Sequence, residues 1–222
     1  MAAKSASKKV VKRGAAKAPD SRAADSREEI LNVATEEFAE RGLSGARVDA
    51  IAERTRTSKR MIYYHFTSKE GLYKAVLERV YSEIRTVESQ LDLGQLAPVE
   101  AMQRMVELTF DYDENHPNFI RLVAVENINQ GKSLARLGTV RKRYSHVLEE
   151  LKIILERGQA AGVFRHDVTA LDVRLVMGSL CFFRVSNRHT FGALFDCDLA
   201  DPALRVRHRR MFTDAVLRFL KA

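Results

Sequence analysis

"TSKRMIYYHFTSKEGL", residues 57–72, crowds hydroxyl, basic and aromatic side chains into one short stretch. A helix buried in a core would not spend so many polar groups so closely. The residues around it explain the crowding. Val48, Ile51 and Ala52 give a short helix from Val48 to Arg54 one apolar face. The tight turn "RTRT" follows, and a third helix fits Ser58 to about Tyr64. Two short helices joined by such a turn make a helix-turn-helix unit, whose second helix fits a DNA major groove.

The rest of the chain reads as helix after helix. Ser26 and Glu29 form a capping-box pattern opening the first, in which Ile30, Ala34 and Phe38 recur every four residues. Gly42 suits a left-handed helix end. Thr67 and Glu70 form another capping-box pattern, starting a long helix through Leu72, Val76, Val80, Ile84 and Val87. Further helices are expected from Pro98 to Glu114, Asn118 to Asn129, through "TVRKRYSHVLEELKIILERGQ" until Gly162 ends it, from Thr169 to Asn187, and from Pro202 to Leu220. No stretch alternates long enough to argue a sheet. The expected class is all-α, a three-helix DNA-binding head joined to a larger helical bundle.

The chain has 222 residues with a net charge of +8 and a pI of about 9.6, which points to an anionic partner. Residues 1–25 carry seven basic side chains against Asp20 and Asp25, a net of +5, with no apolar periodicity. That segment reads as a disordered basic tail. Residues 26–72 read as the head, and 73–222 as a ligand-binding and dimerisation domain. No apolar run suits a signal peptide or a membrane span, so a cytoplasmic location is expected. Cys181 and Cys197 read as free thiols. Catalytic, metal and cofactor sites are expected to be absent. The six His are scattered, and there is no HExxH, Gly-rich phosphate loop or nucleophile elbow.

Within the helix-turn-helix, Ser58, Lys59, Arg60 and Met61 sit at the exposed start of the second helix. Lys and Arg can donate to guanine O6 and N7, and Met61 can touch a thymine methyl. Thr57, Tyr63, Tyr64, His65 and Lys69 are donors suited to phosphate oxygens, which fix register without reading sequence. Tyr63 fits either phosphate contact or the core of the head; Tyr64 faces outward, and Phe66 is core.

"GLSGARVDAIAERTRTSKRMIYYHFTSKEGLYKAV" resembles the DNA-binding domain of the TetR family of transcriptional regulators, over roughly residues 26–75. Ile51 and Ala52 on the second helix, "TSK" opening the third, "YYHF" closing it and "SKEGL" opening the fourth carry the match. The resemblance implies a repressor that binds a palindromic double-stranded operator as a homodimer and is released by a small-molecule effector. This chain departs from the pattern where Arg56 stands in place of a common Gly, Arg47 in place of a helix-opening Thr, and Thr57 in place of a Val. Arg47 replaces a cap by a cation, which makes it a candidate DNA contact.

Polar residues on otherwise apolar helices of the second half mark a candidate effector pocket, because burying them costs free energy unless they are paired. The set is Phe110, Arg121, Leu122, Glu126, Asn129, Tyr144, Phe183 and Asn187, in which the apolar members read first as ordinary core and only second as ligand wall. This half loosely resembles the branch containing the uracil-responsive pyrimidine-utilisation regulator, which implies a small planar acid or heterocycle as effector. The family resemblance also implies a four-helix dimer contact, for which the last two long helices, about 169–187 and 202–220, are the candidates. The rival reading is an architectural DNA-binding protein without an effector, to which the basic tail is equally suited.

Overall fold

The computed structural model describes residues 19–89 and 93–222. Most of the basic tail therefore lies outside the described residues. Among the described residues ten α-helices follow in order: α1 (Pro19–Gly45), α2 (Val48–Arg54), α3 (Lys59–Phe66), α4 (Lys69–Ser89), α5 (Pro98–Asn115), α6 (Pro117–Ile128), α7 (Gly138–Ala160), α8 (Ala170–Ser186), α9 (Arg188–Phe195) and α10 (Pro202–Leu220). Among the described residues there is no strand, only an isolated bridge between Phe164 and Lys221.

Each junction in the head has an identifiable local cause. α1 is broken at Gly42, whose φ of 65° is the left-handed value expected of it. α2 lacks a side-chain cap at Arg47; instead the Glu37 carboxylate of α1 accepts the Arg47 N–H at 3.0 Å. Ser58 caps α3, its hydroxyl accepting from Met61 N–H at 3.2 Å. α3 then buries Ile62 and Phe66, one turn apart, and leaves its other face outside. Thr67 turns the chain at φ 67°. The cap of α4 is Ser68, which accepts from Gly71 N–H at 3.0 Å, so the capping site is one residue later than the Thr67–Glu70 pattern suggests. Gly71 is needed there: a Cβ would lie 2.0 Å from the Phe66 carbonyl oxygen. The Ser26–Glu29 pattern does not open a helix either, because α1 already begins at Pro19.

Two cores hold the chain together. The first joins Ile30, Phe38, Ile51, Ile62, Leu72 and Val76 of the head to Phe119, Ile120 and Leu122 of α6, Val140 of α7 and Val185 of α8. The head is thus packed onto the body by shared apolar surface rather than hung from a linker. The second fills the body with Met102, Met105 and Val106 of α5, Leu151 and Ile154 of α7, Val173 and Met177 of α8, and Val216 and Leu220 of α10. A reciprocal Thr169–Asp172 capping box opens α8, and Asp201 caps α10. α9 was not anticipated: none of its residues is buried, so its sequence has no inward stripe to read.

Arg56, in the turn between α2 and α3, has φ 49°. A side chain other than glycine is strained in that region. Arg56→Gly should raise stability by on the order of 0.5–1 kcal/mol, the relief of strain being partly offset by glycine's unfolded-state entropy. Urea unfolding measures it; a lower midpoint would mean that the Arg56 side chain makes compensating contacts.

Candidate nucleic-acid interface and its link to the body

α3 presents a continuous outward surface. Ser58, Lys59, Arg60, Met61, Tyr63 and Tyr64 are all exposed, Tyr64 at 78% and Tyr63 at 41%, while Ile62 and Phe66 anchor the opposite face. Arg47 at the start of α2 is exposed too, and Thr57, His65 and Lys69 are half-buried, on α3 itself or on the turn and helices that adjoin it. The residues read as DNA contacts are therefore brought together, but they are not equivalent. Ser58 spends its hydroxyl on the cap. Lys59 pairs with Asp49 of α2 at 2.5 Å, and Lys69 donates to the Ser44 carbonyl at 3.3 Å. His65 has its Nε2 enclosed without a hydrogen-bond partner and its ring edge-on to Tyr64. Arg60 has no protein carboxylate beside it among the ion pairs described, which leaves its guanidinium available to an external acceptor. Exposed Arg56 joins this surface too, a position marked in the sequence only by its departure from glycine.

The start of α4 adds an electrostatic feature. Backbone N–H groups and the Ser68 hydroxyl hold the Glu70 carboxyl below its usual range. A helix start that stabilises this carboxylate also suits a phosphate.

The link to the body is polar and buried. Tyr73 of α4 stacks edge-on against Phe38 and donates its hydroxyl to the Glu126 carboxylate of α6 at 2.9 Å. The second oxygen of Glu126 accepts the N–H groups of Ser133 and Leu134 at 3.2 Å each, so one carboxylate ties α4, α6 and the loop before α7. Burial, then the bond to Glu126, pushes the Tyr73 hydroxyl far above its ordinary range, keeping it a donor. Nearby, Arg79 of α4 reaches Glu28, Asn32, Thr35 and the Leu31 carbonyl of α1, and Thr139 of α7 donates to Glu78 at 3.1 Å.

The residues read as an effector pocket are dispersed. Leu122 is in the core shared with the head, and Glu126 is occupied as described. Phe110 lies under the Arg184 guanidinium and edge-on to Phe212. Arg121, Asn129 and Phe183 are exposed. Asn187 donates to the Phe183 carbonyl and the Ser186 hydroxyl at the end of α8. The Tyr144 side chain lies outside the described residues. Sequence reading did not find the polar node at the top of the body: Arg184, 2% exposed, pairs with Glu114 of α5, donates to the Leu199 carbonyl at 2.6 Å and to His208 Nδ1 of α10 at 3.2 Å. Glu114 also holds Arg188 at 3.0 Å. Burial, then the Arg184 charge, lowers the His208 pKa, which keeps Nδ1 an acceptor.

Both halves of this architecture match known families. Residues 30–76 match the model described as bacterial regulatory proteins, tetR family, and residues 98–216 match the tetracyclin repressor-like C-terminal domain. The chain is 35% identical to the HTH-type transcriptional repressor NicS of Pseudomonas putida, over 88% of this chain and 92% of that one. It is 28% identical to the HTH-type transcriptional repressor SCO4008 of Streptomyces coelicolor, over 70% and 76% of the two chains. Among solved structures it is similar to the putative transcriptional regulator SCO4942 of Streptomyces coelicolor, with a TM-score of 0.67 and 26% identity over 88% of this chain and 98% of that chain.

Tyr73→Phe removes the hydroxyl and leaves one buried oxygen of Glu126 unpaired. It should lower stability by about 1–3 kcal/mol, read from chemical denaturation. A loss below about 0.5 kcal/mol would mean that water or a rearranged donor replaces the hydroxyl.

Proposed function

Because the chain belongs to the TetR family of bacterial transcriptional regulators, we propose that it is a repressor that binds a palindromic operator as a homodimer and lets go when a small molecule occupies its body. The observation that carries this reading is the outward face of α3, basic and aromatic, mounted on a head that shares one core and one buried carboxylate with the regulatory half. Arg60 and Lys59 read bases, Met61 contacts a thymine methyl, and Tyr63, Tyr64, His65, Thr57, Lys69 and Arg47 position the head on phosphates. No helix among the described residues is long and apolar enough to cross a membrane; the site of action is proposed to be the cytoplasm, where operator DNA lies.

The homodimer is supported by apolar residues left outside on the last helices. Leu171 and Leu175, one turn apart on α8, are 64% and 67% exposed, and Val206 and Met211 on α10 are 71% and 48% exposed. Large apolar side chains exposed on two neighbouring helices suit an isologous contact, in which the same surface meets itself. Such a pairing sets the spacing of two heads, and so of two half-sites. Release follows if the effector favours a head spacing that no longer matches the operator. The planar acid or heterocycle read from the sequence is the class to screen first.

The test is a binding screen against upstream DNA with a footprint. A two-fold footprint, lost on adding a small-molecule extract, is expected; length-dependent coating of any DNA would sink the proposal in favour of an architectural role. Arg60→Ala should weaken operator binding by about 1–3 kcal/mol and relax one base position, while binding to random DNA changes much less. Asp49→Asn frees Lys59 from its partner and should strengthen binding to random DNA and steepen its salt dependence by up to about one unit per head. Equal loss on operator and random DNA for Arg60→Ala rules out base reading. Leu171→Glu combined with Leu175→Glu should give a folded monomer in sedimentation with greatly weakened operator binding; a dimer that persists in this variant places the contact elsewhere.

A further inference from the structure

The end of α2 closes in a pattern that suits glycine. The Thr57 N–H donates to the Ala52 carbonyl at 3.0 Å and the Arg56 N–H to the Glu53 carbonyl at 3.2 Å. These two bonds make a Schellman motif, which needs a left-handed residue where Arg56 stands. Arg56 accordingly has φ 49°. Glycine adopts that conformation without a steric penalty, and asparagine adopts it more readily than other side chains. Arginine has neither advantage, so its Cβ strains the turn. A helix C-terminus gives a nearby cation some return, but Arg54 in the last turn of α2 already supplies one. Among the described residues the exposed Arg56 guanidinium has no hydrogen-bond or ion-pair partner. Its neighbours differ. Arg54 pairs with Glu36 of α1, Lys59 pairs with Asp49 of α2, and Lys69 donates to the Ser44 carbonyl.

A strained residue persists where something outside the turn makes use of it. Arg56 lies two residues before Ser58, the cap of α3, and so beside the end of the helix that would enter a major groove. Ridges of phosphates border that groove, and a long cationic side chain at its mouth has them as its nearest acceptors. We propose that Arg56 grips a DNA phosphate, and that the left-handed strain of the α2–α3 turn is retained to place its guanidinium there. This rests on the reading of α3 as the DNA-binding helix, and it adds a contact at a position where the family pattern has glycine. Guanidinium can give a phosphate two parallel N–H bonds. Such a contact supplies affinity and register and carries no base preference, which sets Arg56 apart from Arg60.

The test uses the full chain and a random-sequence DNA duplex, titrated by fluorescence anisotropy over a series of salt concentrations, with urea unfolding of each variant alongside. Arg56→Gly removes strain and cation together. Its urea midpoint should rise, while its affinity for the duplex falls about tenfold for each head engaged at about 0.1 M salt. The slope of log affinity against log salt should become shallower by about one unit per head. Stability and DNA affinity moving in opposite directions is a result that a purely structural arginine would not give. Arg56→Lys keeps both the strain and the charge, and should stay within about threefold of the parent with its salt slope intact. An Arg56→Gly protein with the parent's affinity and slope overturns the proposal. So does a fall in its urea midpoint, since the side chain would then serve the fold. Equal losses in Arg56→Lys and Arg56→Gly overturn it too, because a phosphate contact needs a cation and not a particular shape. If the parent binds and Arg56→Gly matches it, the Arg56 contact alone fails. A parent that binds no duplex in a salt-dependent way overturns the DNA-binding reading of α3 and this inference with it.

Discussion

The hydrogen bond from Tyr73 to Glu126 is the contact on which the relation between the two halves depends. A carboxylate 1% exposed is tolerable only if its lone pairs are satisfied. Three donors do this, and they come from two places: α4, which carries the head, and two adjacent N–H groups in the loop that precedes α7. Apolar contacts around them are non-directional, whereas a directional bond in a low-dielectric interior is lost when its atoms separate. The position of α4 over α6 is therefore set by this carboxylate more than by the leucines and valines beside it. Any change in the body that moves α6 has a direct way to turn the head.

The Arg184 node does the corresponding work at the other side of the body. It joins α5, α8, α10 and the loop before α10 through one guanidinium. Its net contribution to stability is small in principle, since desolvating Arg184 and Glu114 opposes their attraction, but breaking one partner is severe, at about 3–5 kcal/mol. The node thus specifies how three helices meet rather than how strongly. The same helices, α8 and α10, carry the exposed apolar side chains assigned to the homodimer. In the proposed homodimer, rigidity of each subunit at that seam would let the pairing define the distance between two heads.

In the head, electrostatics are graded rather than uniformly positive. Lys59 is shared with Asp49, and Lys69 leans on a backbone carbonyl, whereas Arg60 meets no acid among the ion pairs described. A reading helix with every cation free would adhere to any DNA, because phosphate contacts carry no sequence information. On the role proposed for α3, partial neutralisation lowers that background and leaves the Arg60 guanidinium to discriminate. The strained Arg56 in the adjoining turn adds a cation where glycine would be the easier residue, a local cost consistent with a functional position.

What the sequence determined by itself is whatever local geometry dictates. The stretch 57–72 specified a turn, a helix start at Ser58 and an outward basic face, because turn residues and i, i+4 stripes act over a few residues. The limits of α5, α8 and α10 were legible for the same reason, from Pro98, Thr169 and Pro202. The tertiary structure alone decided the partners. Glu126 looks in sequence like a polar group awaiting a ligand, yet its hydrogen-bond donor Tyr73 lies 53 residues away. Phe110 is covered by Arg184, a side chain of a helix distant in the chain. α9, with no buried face, left no period to detect. Periodicity reports which side of a helix turns inward; it carries no information about what that side meets, because the meeting is made by residues distant in the chain and close only after folding.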